Sequence, residues 1–546
     1  MKTSIRNPNI QVLLHKVVTR TSPEGSAPQA QSSSLPANQA QSTTGSGAPQ
    51  GFSSQQYSQF DSPANVIDVT HWLGEGSTVR VQKSVRDGAG AFSIDFVDQV
   101  MAPLNDTLYA LIEPMDMFEL RFAGDAFKYA GTAGQKLPIM MRGFVSDITR
   151  SQSMGADGKP RRTVRVVGHD YGKILQLIQI FNMPNTPEVA NLISSFPLFS
   201  KYGSDLNVKN STDFINLVFS LIVNPYIQGL QSAGATAGAA LDSIITDIQV
   251  PPALVSVQLG AFNGGTVEGL FEEYLDTKPF NEFFIEDRDA GPWGAEGPYA
   301  VYRPAPFMDA IARGMIQDPV TSPTSGVSNS SALTPNANCI AIESDSIISI
   351  TAHRSDNKVG NYFWVDAPRF NMNYEDLTRQ YAGYSAQQGK VPVYVADYGN
   401  VTPALYGLRK LEVSTQQGGV TESSSGNGTP NGAQRDKDQN SFLAWIDDRR
   451  STLIEINQDN VVLEDGDMHL RGNEKIRAGC YVKINYGNQL SSMHYAHSVT
   501  HTFEPFGSYF TEVEYERGTN FVDRQIQGGP GIDLYHSEML SPRGTQ

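Results

Sequence analysis

The residues best suited by type to do chemistry are three histidines, His494, His497 and His501, in the segment MHYAHSVTHTF. On a helix this spacing could converge on a zinc ion. The segment alternates like a strand, however, and side chains along a strand point to opposite faces by turns. His494 and His497 then point apart, while His497 and His501 share a face about 13 Å apart at ~3.3 Å per residue, too far for one metal. Ser355 and Lys358 spell Ser-x-x-Lys in SDNK, the nucleophile-and-base string of some hydrolases, but the companion motifs are missing and a Val-Gly-Asn turn follows. GADGKP, Gly155 to Pro160, holds a Gly-Lys pair, yet Ser153 stands where a phosphate loop needs its first Gly and Pro160 where it needs Ser or Thr. It reads as a hairpin turn. DGDMHLRGNE, Asp465 to Glu474, opens like a calcium loop but has Leu470 at the sharp turn that requires Gly. EDRDAG, Glu286 to Gly291, offers carboxylates for a glycosidase pair; the competing reading is a solvated loop or an ion pair with Arg288 or Arg303. These spacings predict no catalytic residue, no metal and no cofactor.

The elements that would have to position such groups are mostly strands. LPIMMRGFVSDITRS (Leu137 to Ser151), the turn-rich SMGADGKP and TVRVVGHDYG (Thr163 to Gly172) form one hairpin pattern near the start. CYVKINYG, MHYAHSVTHTF, EPFGS and YFTEVEYERG (Tyr509 to Gly518) repeat it near the end. VIDVTHWL, STVRVQKSV and AFSIDFVDQ add strands to the first region. In YFTEVEYERG, Val513 and Tyr515 alternate with Glu512, Glu514 and Glu516, so one face packs while the glutamates meet solvent, on an outer surface or in a lumen. Between the two regions the period changes to that of helices. Ile174, Leu177, Ile178 and Phe181 are one such set; Phe214, Leu217, Val218, Leu221 and Ile222 follow the candidate caps Ser211, Thr212 and Asp213; a third helix starts after Thr266.

A chain of 546 residues with 39% hydrophobic residues has room for several domains and a sizeable core. Its formal net charge of -16 argues against nonspecific adhesion to DNA, RNA or an anionic membrane, which draws on Lys and Arg. Cys339 and Cys480 are the only cysteines, too few for a disulfide framework; a single disulfide between them stays open. The N-terminus lacks a signal-peptide pattern, and no run of about 18 apolar residues suits a membrane span. Thr21 to Pro63, rich in Ser, Gln, Ala, Gly and Pro, cannot bury a core of its own and reads as an arm laid against a partner. Thr321 to Asn338 and Thr415 to Asn440 are similar low-complexity stretches.

Several strings in order resemble the baseplate hub proteins of contractile-tailed phages, the late-control D-type tail family. They are FSIDF with LYALIEPMDMFELRF, LPIMMRGFVSDI with TVRVVGHDYGKIL, PFNEFFIEDRD with AVYRPAPF, RSDNKVGNYFWVD, YGLRKLEV and HSVTHTFEPFGSYFTEVEYERG, spanning roughly Val66 to Asp523. The resemblance implies an α+β, predominantly β fold: two tail-tube-like antiparallel β-barrels with a helix-containing insertion. The expected division is an N-terminal extension and arm at 1–63, a first barrel at 64–181, the insertion at 182–345, a second barrel at 346–525 with a long loop at 415–440, and a tail at 526–546. It further implies a homotrimer that joins tail-tube proteins above to a central spike protein below and encloses part of the DNA channel. DNA would pass without specific binding, and the arm would meet the tape-measure and inner baseplate proteins. The chain would be made in the host cytoplasm and end in the virion, in the tail baseplate. Two alternatives are a tail-associated peptidoglycan hydrolase and the hub of a non-viral contractile injection machine.

Overall fold

The computed structural model describes residues 7–17, 66–98, 107–129, 136–180 (without 155–157 and 159), 211–234, 241–250, 254–255, 265–305 (without 278, 279, 292 and 293), 316–317, 337–366, 399–418 (without 416) and 449–520 (without 451, 455, 458, 459, 488 and 489). Phe181, the arm at 21–63, the low-complexity residues 321–336 and 419–440, and the tail at 526–546 lie outside the described residues.

The first strand set comprises β1 (Asn9–His15), β2 (Val66–Asp68), β3 (Thr78–Ser84), β4 (Ala91–Val97), β5 (Met117–Ala123), β6 (Ile139–Met154) and β7 (Pro160–Asp170). Helix α1 (Gly172–Leu177) follows, then α2 (Ser211–Val218), which passes through a π-helical segment, Phe219–Val223, into α3 (Asn224–Gly234). Strand β8 (Ile245–Ile248), helix α4 (Val267–Tyr274) and the hairpin β9 (Asn281–Arg288) with β10 (Gly297–Pro304) complete the middle of the chain. The second set is β11 (Ala337–Glu343), β12 (Ile347–His353), β13 (Tyr362–Asp366), β14 (Lys410–Ser414), β15 (Glu464–Arg471), β16 (Tyr481–Gly487), β17 (Leu490–Phe503) and β18 (Tyr509–Asn520).

The expectation of two closed barrels is corrected by the strand order. Strand β17 is long enough to serve both sets: β18 lines one of its edges from Ser492 to Phe503, while the other edge is divided, Leu490–Tyr495 against β16 and Ser498–Phe503 against β3. The two sets therefore merge into one sheet of 14 strands, counting the two-residue Ile316–Gln317. Closing the first set on itself would require β2 to reach the free edge of β3, and β17 occupies that edge. The sheet stays open, ending at β2, at β12 and at Ile316–Gln317, each with a single strand neighbour. The fold is α+β and mostly antiparallel, with parallel pairing at β11–β16, β8–β10 and β13–β14.

Alternation decides which residues enter the cores. Val79 and Val81, Phe92, Ile94 and Phe96, and Phe118, Leu120 and Phe122 all point to one side of the first set and pack with Trp72. Phe503 and Tyr509, from the second set, join them, with ring centroids 5.9 and 5.3 Å from that of Phe122. Met468, Leu470, Val482, Ile484, Val499, Val513 and Tyr515 form a separate core in the second set. The helices pack through Phe214, Val218, Phe219, Ile222, Leu270, Phe271 and Tyr274 onto Phe144 and Tyr171. Helix α4 begins as its sequence suggests, with the Thr266 hydroxyl accepting a hydrogen bond from the Gly269 amide at 3.1 Å. Ser211 through Asp213 lie inside the first turn of α2, and α1 stops at Leu177, where the chain turns extended at Ile178. Cys339 stands opposite Tyr481 and packs with it, whereas Cys480 packs in the core of the second set. Neither cysteine is in a disulfide, both are buried, and burial pushes the Cys480 thiol up to about 12.

Candidate functional site: the junction and the glutamate face

The hairpin β9–β10 is wedged between the two strand sets, and ionic side chains on both sides hold it. From the first set, Arg121 bonds Glu119, Glu296 and Asp289, the last at 3.2 Å, and donates to the Leu137 carbonyl at 2.8 Å. Arg142 reaches Glu119 at 3.1 Å and also Asp242 and Glu296. His15 Nε2 lies 3.4 Å from Glu119. Burial alone would raise the Glu119 pKa, but hydrogen bonds from His15 and Arg121 and the two guanidinium charges hold it well below the usual carboxylate range.

Two further groups complete the junction. Lys83 Nζ sits 2.8 Å from Asp287 and 3.0 Å from Asp170, the two acids fully buried and the lysine largely so, and burial raises the Asp170 pKa against the pull of Lys83. Toward the second set, Arg303 bonds Glu282 at 2.9 Å, Tyr495 at 3.2 Å and the Gly479 carbonyl at 2.7 Å. Gly479 adopts φ +82°, and any Cβ there would collide with the Arg303 guanidinium. Arg477, from the second set, donates to the carbonyls of Ile139 in β6 and Asp287 in β9. Such pairs stabilise little relative to apolar packing, but removing one partner leaves a buried charge stranded. They fix how the hairpin sits between the strand sets.

The constellations raised by the sequence have places in this arrangement, apart from GADGKP, of which residues 155–157 and 159 lie outside the described residues. Glu286 and Asp287 lie in strand β9, not in a loop; Glu286 pairs with Arg288 at 3.0 Å, and Arg288 also pairs with Asp247 at 2.8 Å. The acids proposed for a glycosidase pair are thus engaged by cations. Ser355 caps a short turn, its hydroxyl accepting from the Asn357 amide at 3.1 Å, and Lys358 reaches Asp465 in β15. Asp465 to Arg471 is strand, which removes the calcium loop. Among the described residues, no three His, Cys, Asp or Glu side chains are grouped to hold a metal ion, and no helix is long and apolar enough to cross a membrane.

The histidines part further than alternation alone predicts. A bulge between Ala496 and Ser498 leaves His497 outside the β17–β18 pairing and near Glu516, Arg86 and Glu514. His501 instead lies in the core, with Nε2 3.0 Å from the Ile476 carbonyl and Nδ1 2.9 Å from the Tyr509 hydroxyl. His497 and His501 do not share a face. Burial lowers the pKa of His494 to about 4, and burial with the Arg477 charge lowers that of His501 to about 3.

On β18, Thr511, Val513 and Tyr515 are buried, Glu512 and Glu514 are exposed and Glu516 is half-buried. Asp467 of β15 stands directly opposite Glu514, so two carboxylates face solvent side by side. Glu516 is ion-paired to Arg86, and Arg80 approaches Glu512 at 3.9 Å. The junction was missed in the sequence, although single charges inside apolar strands, Glu119 and Arg121 in MFELRFA and Arg142 in IMMRGF, were the available signal.

No family model matches the chain, and no curated protein matches it. Among solved structures the chain is similar to a tail protein from Neisseria meningitidis MC58, with 11% identity, a TM-score of 0.40, and coverage of 82% of this chain and 93% of that one. It is similar also to the 43 kDa tail protein of prophage MuSo2 from Shewanella oneidensis, with 10% identity, a TM-score of 0.38, and coverage of 82% and 94%. A Francisella PdpA–VgrG complex is similar at 8% identity and a TM-score of 0.34, covering 93% of this chain and 58% of that one.

Proposed function

We propose that this chain is a structural hub of a phage contractile tail, a homotrimeric adaptor between a six-fold tube and a three-fold spike, with no catalysis of its own. The observation that carries the reading is the continuity of the sheet through β17. One chain presents two strand sets in fixed relation, so three chains supply six comparable positions around an axis. The ordered strings resembling phage hub proteins support the same assignment. The ionic junction fits a part that transmits load, since it ties the middle hairpin to both sets by directional bonds.

In this reading the face bearing Glu512, Glu514 and Glu516 lines the channel. Two carboxylates opposite each other are unfavourable locally, and a phosphate backbone gains nothing by resting there. DNA slides past. The division into extension, first strand region, insertion, second strand region and tail is part of the proposal, as are contacts of residues 21–63 with the tape-measure and inner baseplate proteins and a place in the virion baseplate.

Native mass spectrometry of the purified chain tests the stoichiometry, and a peptidoglycan zymogram tests the absence of catalysis. Three copies and no lytic band are expected. A stable dimer or hexamer, or a lytic band lost on mutating a carboxylate between 182 and 310, would overturn the reading.

A further inference from the structure

The Lys83 group differs from a simple ion pair. One ammonium meets two carboxylates, with Nζ 2.8 Å from Oδ2 of Asp287 and 3.0 Å from Oδ2 of Asp170, and the side chains of Lys83, Asp287 and Asp170 are 13%, 0% and 1% exposed. They come from three elements: Lys83 from β3, Asp170 from the end of β7 and Asp287 from the hairpin strand β9. Each is fixed by a further bond. Lys83 also reaches the Ile285 carbonyl at 3.3 Å, Asp170 Oδ1 accepts from the Gly172 amide at 2.9 Å, and Asp287 Oδ2 accepts from the Arg142 amide at 3.3 Å. Asp287 Oδ1 is buried and accepts no hydrogen bond from a described residue. A carboxylate with one bare oxygen in a dry site is poorly stabilised as an anion.

An amine and a carboxylic acid do not condense in water, because both are ionised and water is in excess. A buried site removes these obstacles and holds the pair together. Burial works against the Lys83 charge, although the Asp287 and Asp170 carboxylates outweigh it and raise the Lys83 pKa. Burial, with the Asp287 charge behind it, also raises the Asp170 pKa over the opposing pull of Lys83. Asp170 is thereby a stronger base than an ordinary carboxylate, suited to move a proton off Nζ. Attack requires Nζ to approach the carboxyl carbon to about 3–3.5 Å, and the hydrogen bond to Oδ2 holds it within a small shift of that range.

We infer that Lys83 Nζ condenses with the Asp287 side chain to form an isopeptide bond between β3 and the hairpin, with Asp170 as the proton carrier. Asp170 takes a proton from Nζ and passes it to Asp287 Oδ1, so that a neutral amine faces a neutral acid. The nitrogen lone pair forms the bond to Cγ, Asp170 carries a second proton from nitrogen to Oδ1, and the Cγ–Oδ1 bond breaks with its electron pair on the leaving water. Of the three ammonium protons, one stays on the amide nitrogen and two depart with the oxygen; nothing is oxidised or reduced. A cavity of about 20 Å³, lined by Lys83 together with Ser84, Glu286 and Arg477, has room and polar partners for the water released. The bond would join residues 204 positions apart and keep the hairpin on the first strand set even when the ion pairs around it open.

Mass spectrometry of the denatured full-length chain, with peptide mapping, tests this. The main species is expected about 18 Da below the sequence mass, by one water, with a branched peptide joining Lys83 to Asp287. Asp287→Asn should instead lose about 17 Da, since ammonia is then the leaving group. Lys83→Arg and Asp170→Asn should keep their full mass and yield no branched peptide, with circular dichroism confirming that each is folded; the parent chain alone decides whether the bond exists if a variant does not fold. The full sequence mass in the folded parent would overturn the inference, as would a loss of water without a branched peptide or a branch from Lys83 to Asp170. A folded Asp170→Asn chain that still carries the bond would overturn the role given to Asp170.

Discussion

Strands β5 and β18 carry the same kind of pattern and meet opposite fates. In MFELRFA, Glu119 and Arg121 alternate with Phe118, Leu120 and Phe122; in YFTEVEYERGTN, Glu512 and Glu514 alternate with Thr511, Val513 and Tyr515. All seven residues of β5 are buried, whereas Glu512 and Glu514 are open to solvent. The difference lies in the number of layers. Strand β5 has the apolar core on one face and the β9–β10 hairpin on the other, so its charges are sealed and must be paired. Strand β18 is covered on one face only. Alternation tells which residues share a face, but a second layer decides whether a charge there is structural or exposed.

The sharpest way to break this comparison is to remove a charge from each strand. Arg121→Ala should leave Glu119 to Arg142 and His15, take one cation from Glu296 and Asp289 at the hairpin, and cost about 3–5 kcal/mol, measured by denaturant unfolding. A loss near zero would show that the junction opens to water and that β5 is no different from β18.

Acid comes next in size. His494 and His501 titrate near 4 and 3 in the folded protein, below the usual value of about 6.5 expected in the unfolded chain. Their folded pKa values are depressed, so the unfolded state binds more protons as pH falls. The stability they carry is complete above about 6.5 and drains below it, by about 2 kcal/mol for each at pH 5. Glu119 adds a further loss below about 4.3, where its unfolded form takes up a proton. Unfolding curves between pH 7 and 5 should flatten in His501→Asn compared with the parent; an unchanged slope contradicts the burial described for that ring.

A smaller effect is expected at the β17–β18 turn. The Gly507 amide bonds the Glu504 carbonyl at 3.0 Å, Pro505 sits second in the turn, and Phe506 third with φ +62° and 91% exposure. That third position favours Gly. Phe506→Gly should raise stability by up to about 1 kcal/mol in thermal melts, and a loss would reveal a contact made by the ring. The smallest change belongs to the exposed carboxylates: Glu514→Gln should stay within about 0.5 kcal/mol of the parent. A large loss there would mean that β18 carries a covered charge as β5 does.

Much of the strand pattern was legible because burial on one face leaves alternation in the sequence. Val513 and Tyr515 are buried where their spacing places them, and Thr266 caps α4. The union of the strand sets was not legible, because the pairing of Ser498–Phe503 with Val79–Ser84 joins residues more than four hundred positions apart and leaves no local trace. The bulge at His497 was hidden for a related reason: an extra residue shifts every later side chain to the other face, and only the partner strand reveals it. Lys83, Asp170 and Asp287 meet from three distant segments, so their pairing is a property of the fold alone.

The most direct test of the central claim is cryo-electron microscopy of the purified full-length chain, viewed down the long axis of the particle. The account predicts a closed three-fold ring with an opening at its centre and the strand bearing Glu512 and Glu514 turned toward that opening. A monomer, a two-fold dimer, a six-fold homohexamer, or a three-fold ring with those glutamates on its outer wall would contradict it.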